Sequence, residues 1–145
     1  MAEQPCPFCE IAQDPDNPRL LAQNEYAFTM ADGFPVTNGH TLIIPKRHVG
    51  SFFELTEGER NSMFALLDDA KERLDHAHNP TGYNIGINDG PAAGQTVHHC
   101  HMHLIPRYDQ DNHERNADPR GGGRWVVPEK ADYWSGAATR ALYEV

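Results

Sequence analysis

At 145 residues the chain has the usual size of one domain and is long enough to bury a real core. Its 21 acidic against 12 basic residues give a formal net charge of −9, which opposes non-specific binding to DNA or RNA, because that binding needs a positive surface to displace counterions. No apolar run approaches the roughly 18 residues needed to span a bilayer. The opening Met1-Ala2-Glu3-Gln4-Pro5 lacks the basic and apolar regions of a signal peptide, so a cytoplasmic location is expected.

In chain order, residues 6–12 read as a short helical turn, closed by the loop Asp14-Pro15-Asp16-Asn17-Pro18. Residues 19–23 and 26–31 read as two strands with Asn24-Glu25 between them, a hairpin. A turn-rich connection over 33–39 leads into a β-branched strand, 40–45, that stops at its proline. Over 56–78 the period changes. Thr56 and Glu59 have capping-box spacing, and Met63, Leu66, Leu67, Ala70 and Leu74 recur at helical intervals as one apolar stripe.

Asn79-Pro80-Thr81-Gly82 ends that helix. Residues 83–88 read as a strand, 89–94 as a loop and 97–106 as the last clear strand. Strands gathered on both sides of one long helix, rather than alternating with several, predict an α+β fold with an antiparallel sheet. The tail beyond Arg107 is hydrophilic until Trp125-Val126-Val127, and a short helix is expected after Pro128, a residue suited to a first helical position. The expected organisation is a domain over 1–107 and an extension over 108–145 packed on it.

The chemistry concentrates in Gly94-Gln95-Thr96-Val97-His98-His99-Cys100-His101-Met102-His103. Alternate residues of a strand share a face, so His99, His101 and His103 stack together while Cys100, Met102 and Leu104 point into apolar packing. His98 lies out of that register, at the surface. Three imidazoles side by side are costly to bury without partners, since each needs a defined tautomer. A neutral imidazole nitrogen is a good nucleophile toward phosphorus near pH 7, and neighbouring imidazoles can donate protons to a leaving oxygen. The preceding Gly94-Gln95-Thr96 offers N–H groups and two polar side chains to non-bridging oxygens.

Gln95-Thr96-Val97 followed by His-x-His-x-His resembles the signature of the histidine-triad (HIT) family. Asp32 eight residues before His40, the stretch Gly39-His40-Thr41-Leu42-Ile43-Ile44-Pro45-Lys46-Arg47-His48, and Asn88 seven residues before Gln95 are similar to that family too. The resemblance implies a HIT-like sheet of about five strands with one long and one short N-terminal helix. It implies His101 as the nucleophile that becomes nucleotidylated, with His103 on the phosphate and leaving group. His40 would orient His101 and shuttle protons.

Asp32 would bind the ribose hydroxyls, though before Gly33 it also suits a turn. Asn88, Gln95 and Thr96 would contact phosphate or ribose, while Phe8 and Ile11 would wall the base pocket. The implied substrates are dinucleoside polyphosphates or nucleoside phosphoramidates, and the implied partner besides a small-molecule nucleotide is a second copy of the chain. A regulatory nucleotide-binding module and a catalytic three-histidine metal centre are the competing readings.

Cys6-Pro7-Phe8-Cys9 has the spacing of a zinc knuckle; in a cytosolic protein such a pair is redox-active or metal-binding more often than a structural disulfide. By resemblance to bacterial HIT proteins, His48 and His99 would complete a closed structural zinc site. That leaves His101 and His103 for chemistry and Cys100 for the core.

Overall fold

Cys6 opens the first helix by accepting a hydrogen bond from Cys9 N on its Sγ, with Pro7 at the first helical position, where no backbone donor is missed. In a computed structural model that describes residues 5–109, 111 and 119–132, this helix, α1, spans Pro7–Ala12 and buries Phe8 and Ile11. Strands β1 (Leu20–Gln23) and β2 (Ala27–Ala31) form the expected hairpin, and β3 (Thr41–Pro45) follows antiparallel to β2. Thr56 and Glu59 then build the capping box in full, and α2 runs Glu57–His78 until Asn79 takes a left-handed conformation. Strands β4 (Gly82–Gly86) and β5 (Met102–Arg107) complete one five-stranded antiparallel sheet of order β1-β2-β3-β5-β4.

Strand alternation sorts two cores onto the two faces of this sheet. Ile43, Met102 and Leu104 pack with Met63, Leu66, Ala70 and Leu74 of α2, joined by Cys100. Phe28, Met30, Leu42 and Ile44 pack with Phe8 and Ile11 of α1. His40, in register with Leu42 and Ile44, and His103, in register with His101, therefore emerge on the α1 face. Gly39 turns the chain into β3 with φ of 92°, and a Cβ there would meet Leu74 Cδ2 at 2.7 Å, so the close approach of this turn to α2 requires a glycine.

One strand begins later than its sequence suggests. Instead of running from Val97, β5 begins at Met102. His99 N donates to Val97 O at 2.8 Å and Cys100 N to Val49 O at 2.7 Å, so residues 97–100 turn out of the ladder. The apolar alternation survives this turn: Cys100, Met102 and Leu104 still share the α2 core.

The chain divides into two compact units, Met1–Arg107 and Tyr108–Val145. Within the second, a 3₁₀ segment (Pro119–Val126) is interrupted at Gly122, and α3 (Pro128–Ala131) has Pro128 at its start as expected. Arg124 donates to Lys130 O from both Nε and Nη2. Among the described residues no helix is long and apolar enough to cross a membrane.

Candidate active site and metal centre

The turn over 97–100 hands His99 to a different set of partners from the other two histidines. His99 Nε2 donates to Pro45 O at 2.7 Å, so its Nδ1 carries the lone pair. That nitrogen lies 3.4 Å from Cys6 Sγ and 3.6 Å from Cys9 Sγ, while His48 Nδ1 lies 3.3 Å from Cys9 Sγ. The four donor atoms fall within 4.8 Å of one another. For Zn–S near 2.3 Å and Zn–N near 2.0–2.1 Å, a tetrahedron has S···N edges of about 3.6 Å, so these residues fit a four-coordinate zinc ion.

Electrostatics agree with that fit. Burial, then the neighbouring Cys6, push the Cys9 thiol up to about 11, so Cys9 stays a thiol near neutral pH without a cation beside it. Burial, with repulsion from His48 and His101, lowers the His99 pKa, leaving the neutral imidazole that a metal requires. The Pro45 carbonyl fixes the ligand nitrogen from outside the donor set. An open depression of about 910 Å³ beside the cluster, bordered by Cys6, Cys9, His48 and Thr96, leaves it open to solvent.

His48 is positioned by its neighbour. Arg47 donates to both carboxylate oxygens of Glu59 at 2.9 Å, and Thr56 N donates to Glu59 Oε1. The Glu59 side chain is only 6% exposed, and the Arg47 bond, opposed in part by burial, holds its carboxyl at about 2. The capping carboxylate thus ties the turn carrying His48 to the start of α2.

His40, His101 and His103 form a second cluster beside this one. His101 Nδ1 donates to the His99 carbonyl at 2.8 Å, which assigns the lone pair of the neutral ring to Nε2. Phe8 meets the His101 ring edge-on, with centroids 5.1 Å apart, and the His99 ring at 5.7 Å; Phe8 and Ile11 are both buried in the core on this face of the sheet. The His103 ring lies 5.2 Å from that of His101. Burial first, then His101 and His40, lower His103 to about 4 despite the opposing pull of Asp32.

His40 faces His103 rather than His101. Its Nε2 lies 2.9 Å from His103 Nδ1, so it orients His103; His101 is oriented instead by the His99 carbonyl, because the turn at 97–100 brings that oxygen under the ring. Burial lowers the His40 pKa, with Asp32 acting in the other direction. Asp32 accepts from Phe34 N on Oδ1, the turn geometry its sequence allowed, and directs Oδ2 to within 3.4 Å of His40 Nε2 and 3.8 Å of His103 Nδ1.

The loop between β4 and β5 is built around Gln95. Its Oε1 accepts from Gly90 N, and its Nε2 donates to Gly50 O and Val97 O, so a side chain expected at the phosphate braces the loop in this structure. Asp89 reinforces it by accepting from Ser51 Oγ and Phe52 N. Asn88 and Thr96 are exposed at its two ends, and the Asn88 amide lies beside Gly94. His98 is exposed as expected and covers Gly50. The partners missed by sequence reasoning are backbone groups (Val36 N–H, Pro45 and His99 carbonyls) and the Asp89 and Arg47–Glu59 latches. Only the Thr56–Glu59 spacing signalled any of these in advance.

With this geometry in view, the comparison with known proteins is decisive: residues 16–110 match the family model described as HIT domain. The chain belongs to the HIT family. An uncharacterised 16.1 kDa HIT-like protein of Mycoplasma pneumoniae is 36% identical over 109 residues, covering 75% of this chain and 76% of that protein. An AP-4-A phosphorylase of Mycobacterium tuberculosis H37Rv is 30% identical over 125 residues, covering 85% of this chain and 63% of that protein. Among solved structures, a Zn-bound histidine triad family protein from Mycobacterium smegmatis superposes with a TM-score of 0.67 at 32% identity, covering 85% of this chain and 91% of that one. HIT membership and the expected five-stranded fold are thereby established.

Proposed function

We propose that this HIT protein is a nucleotide hydrolase or transferase that cleaves at the α-phosphate of dinucleoside polyphosphates or nucleoside phosphoramidates. The observation that carries this reading is the 2.8 Å bond from His101 Nδ1 to the His99 carbonyl, which fixes the ring and assigns the nucleophilic lone pair of the imidazole to Nε2. His101 Nε2 attacks the α-phosphorus, and the bond from phosphorus to the leaving group breaks. His103 hydrogen-bonds the phosphate and assists departure. Water then attacks the same phosphorus, the phosphorus–nitrogen bond breaks, and a nucleoside monophosphate leaves with His101 restored.

Asp32 and Asn88 would receive the ribose, Thr96 and the loop N–H groups the phosphate, with Gln95 holding that loop in shape. Phe8 and Ile11 would support the base side of the pocket from beneath. Cys6, Cys9, His48 and His99 would hold a zinc ion with every coordination position filled by protein, so the metal would stabilise the turn that presents His101 rather than polarise substrate. The AP-4-A phosphorylase relative supports the substrate class, and the Zn-bound relative supports the metal. A second copy would pair through the α2 and sheet-edge side, where β4 is one of the two edge strands and Ile85 is 56% exposed.

The test is intact-protein mass spectrometry after a brief acid quench with a panel of dinucleoside polyphosphates and phosphoramidates, comparing wild type with His101→Ala. A nucleotidyl adduct on wild type alone supports the mechanism and identifies the transferred nucleotide. Equal product from both proteins without an adduct overturns the nucleophile. Binding of nucleotides without turnover by either protein moves the regulatory-module reading to the front.

A further inference from the structure

The connection from β2 to β3 carries a backbone donor whose consequence extends through two histidines. Val36 N donates to His40 Nδ1 at 3.0 Å. An imidazole nitrogen that accepts from an N–H cannot carry a proton itself, so the single proton of neutral His40 sits on Nε2. Nε2 faces His103 Nδ1 at 2.9 Å, which must then be the acceptor, and the His103 proton is placed on its own Nε2.

We infer that the Val36 backbone N–H is a positioning group that locks His40 as a permanent Nε2–H donor and thereby sets His103 as an Nε2–H donor. This rests on the proposed reading only in placing His103 Nε2 at the phosphate. His101, with its proton on Nδ1, and His103, with its proton on Nε2, are opposite tautomers set by two backbone groups 63 positions apart in sequence, Val36 N–H and His99 C=O. One imidazole offers a lone pair and its neighbour a proton.

Two corollaries follow. His40 does not shuttle protons, because an imidazolium there would set N–H against the Val36 N–H. Nor are Asp32, His40 and His103 a metal site, although their donor atoms lie within 4.8 Å of one another, since His40 Nε2 keeps its proton. The other groups facing the His40–His103 pair are Asp32, whose Oδ2 is the alternative acceptor for the His40 proton at 3.4 Å, and His101 behind His103. His78 of α2 and Arg19, which donates to Ala31 O, lie against the neighbouring glycines Gly39 and Gly33.

The test is nitrogen-15 NMR of the ligand-free full chain with labelled histidine, which reads tautomers without turnover. Wild type should show His40 protonated at Nε2 and bare at Nδ1 at about pH 7.5, with a coupling across the hydrogen bond between Val36 N and His40 Nδ1. Replacing Val36 by its α-hydroxy acid turns the N–H into an ester oxygen while keeping the side chain, and should shift the His40 tautomer ratio by about tenfold. Val36→Ala, which keeps the N–H, should leave the ratio unchanged. A His40 protonated at Nδ1 in wild type, no coupling to Val36, or an ester variant with the wild-type ratio overturns the inference. If the tautomers are as stated but no nucleotidyl adduct forms on His101, the proposed function fails and the lock stands.

Discussion

Replacing Glu59 by Gln isolates the charge of the one buried carboxylate that ties α2 to the metal-side turn. Gln keeps an oxygen for Thr56 N, so the capping geometry is retained, while the charge facing Arg47 is lost. Lowering of the carboxyl from 4.5 to about 2, at 1.36 kcal/mol per pH unit, sets a ceiling of about 3 kcal/mol. Because Arg47 is 52% exposed and solvent screens its charge, about 2 kcal/mol is expected.

The sign follows from linkage. A carboxyl whose folded pKa is depressed contributes fully above its unfolded value, here 4.5, and the contribution is lost as pH falls toward about 2. Urea unfolding of wild type and Glu59→Gln, both treated with chelator so that metal does not vary, should differ by about 2 kcal/mol at pH 7. The gap should narrow steadily below pH 4.5. A gap under about 0.5 kcal/mol at pH 7, or one that stays constant down to pH 3, would refute the assignment of a strong ion pair at this buried carboxylate.

Two further outcomes follow from the geometry. Cys9→Ser should cut metal content, measured by elemental mass spectrometry, and lower metal affinity at least a hundredfold. At saturating metal that is about 2.7 kcal/mol of stability and several degrees in Tm; unchanged metal content would exclude the Cys6–Cys9–His48–His99 site. Gly39→Ala forces a left-handed conformation on a residue with a Cβ and should destabilise by about 1–3 kcal/mol in thermal unfolding. No loss of Tm would mean that the turn before His40 has room to relax.

Much of the architecture was legible because short-range rules dictate it. The Thr56–Glu59 box, the spacing of Met63, Leu66, Ala70 and Leu74, and the stop at Pro45 are local features, and α2 and β3 lie where they indicate. The alternation of Cys100, Met102 and Leu104 against His101 and His103 placed the histidine face opposite α2, since side-chain direction follows backbone period wherever the chain is extended. The histidine spacing also identified the family.

Tertiary structure decided what those side chains do. His99 has the same chemistry as His101 in the sequence, but the Pro45 carbonyl and the sulfurs of Cys6 and Cys9 make it a candidate metal ligand. Gln95 looked free to meet a phosphate until Gly90, Gly50 and Val97 satisfied its amide. The tautomers of His40, His101 and His103 were not readable at all. They depend on backbone N–H and C=O groups, which every residue but proline carries alike, and only the folded chain determines which of them faces an imidazole.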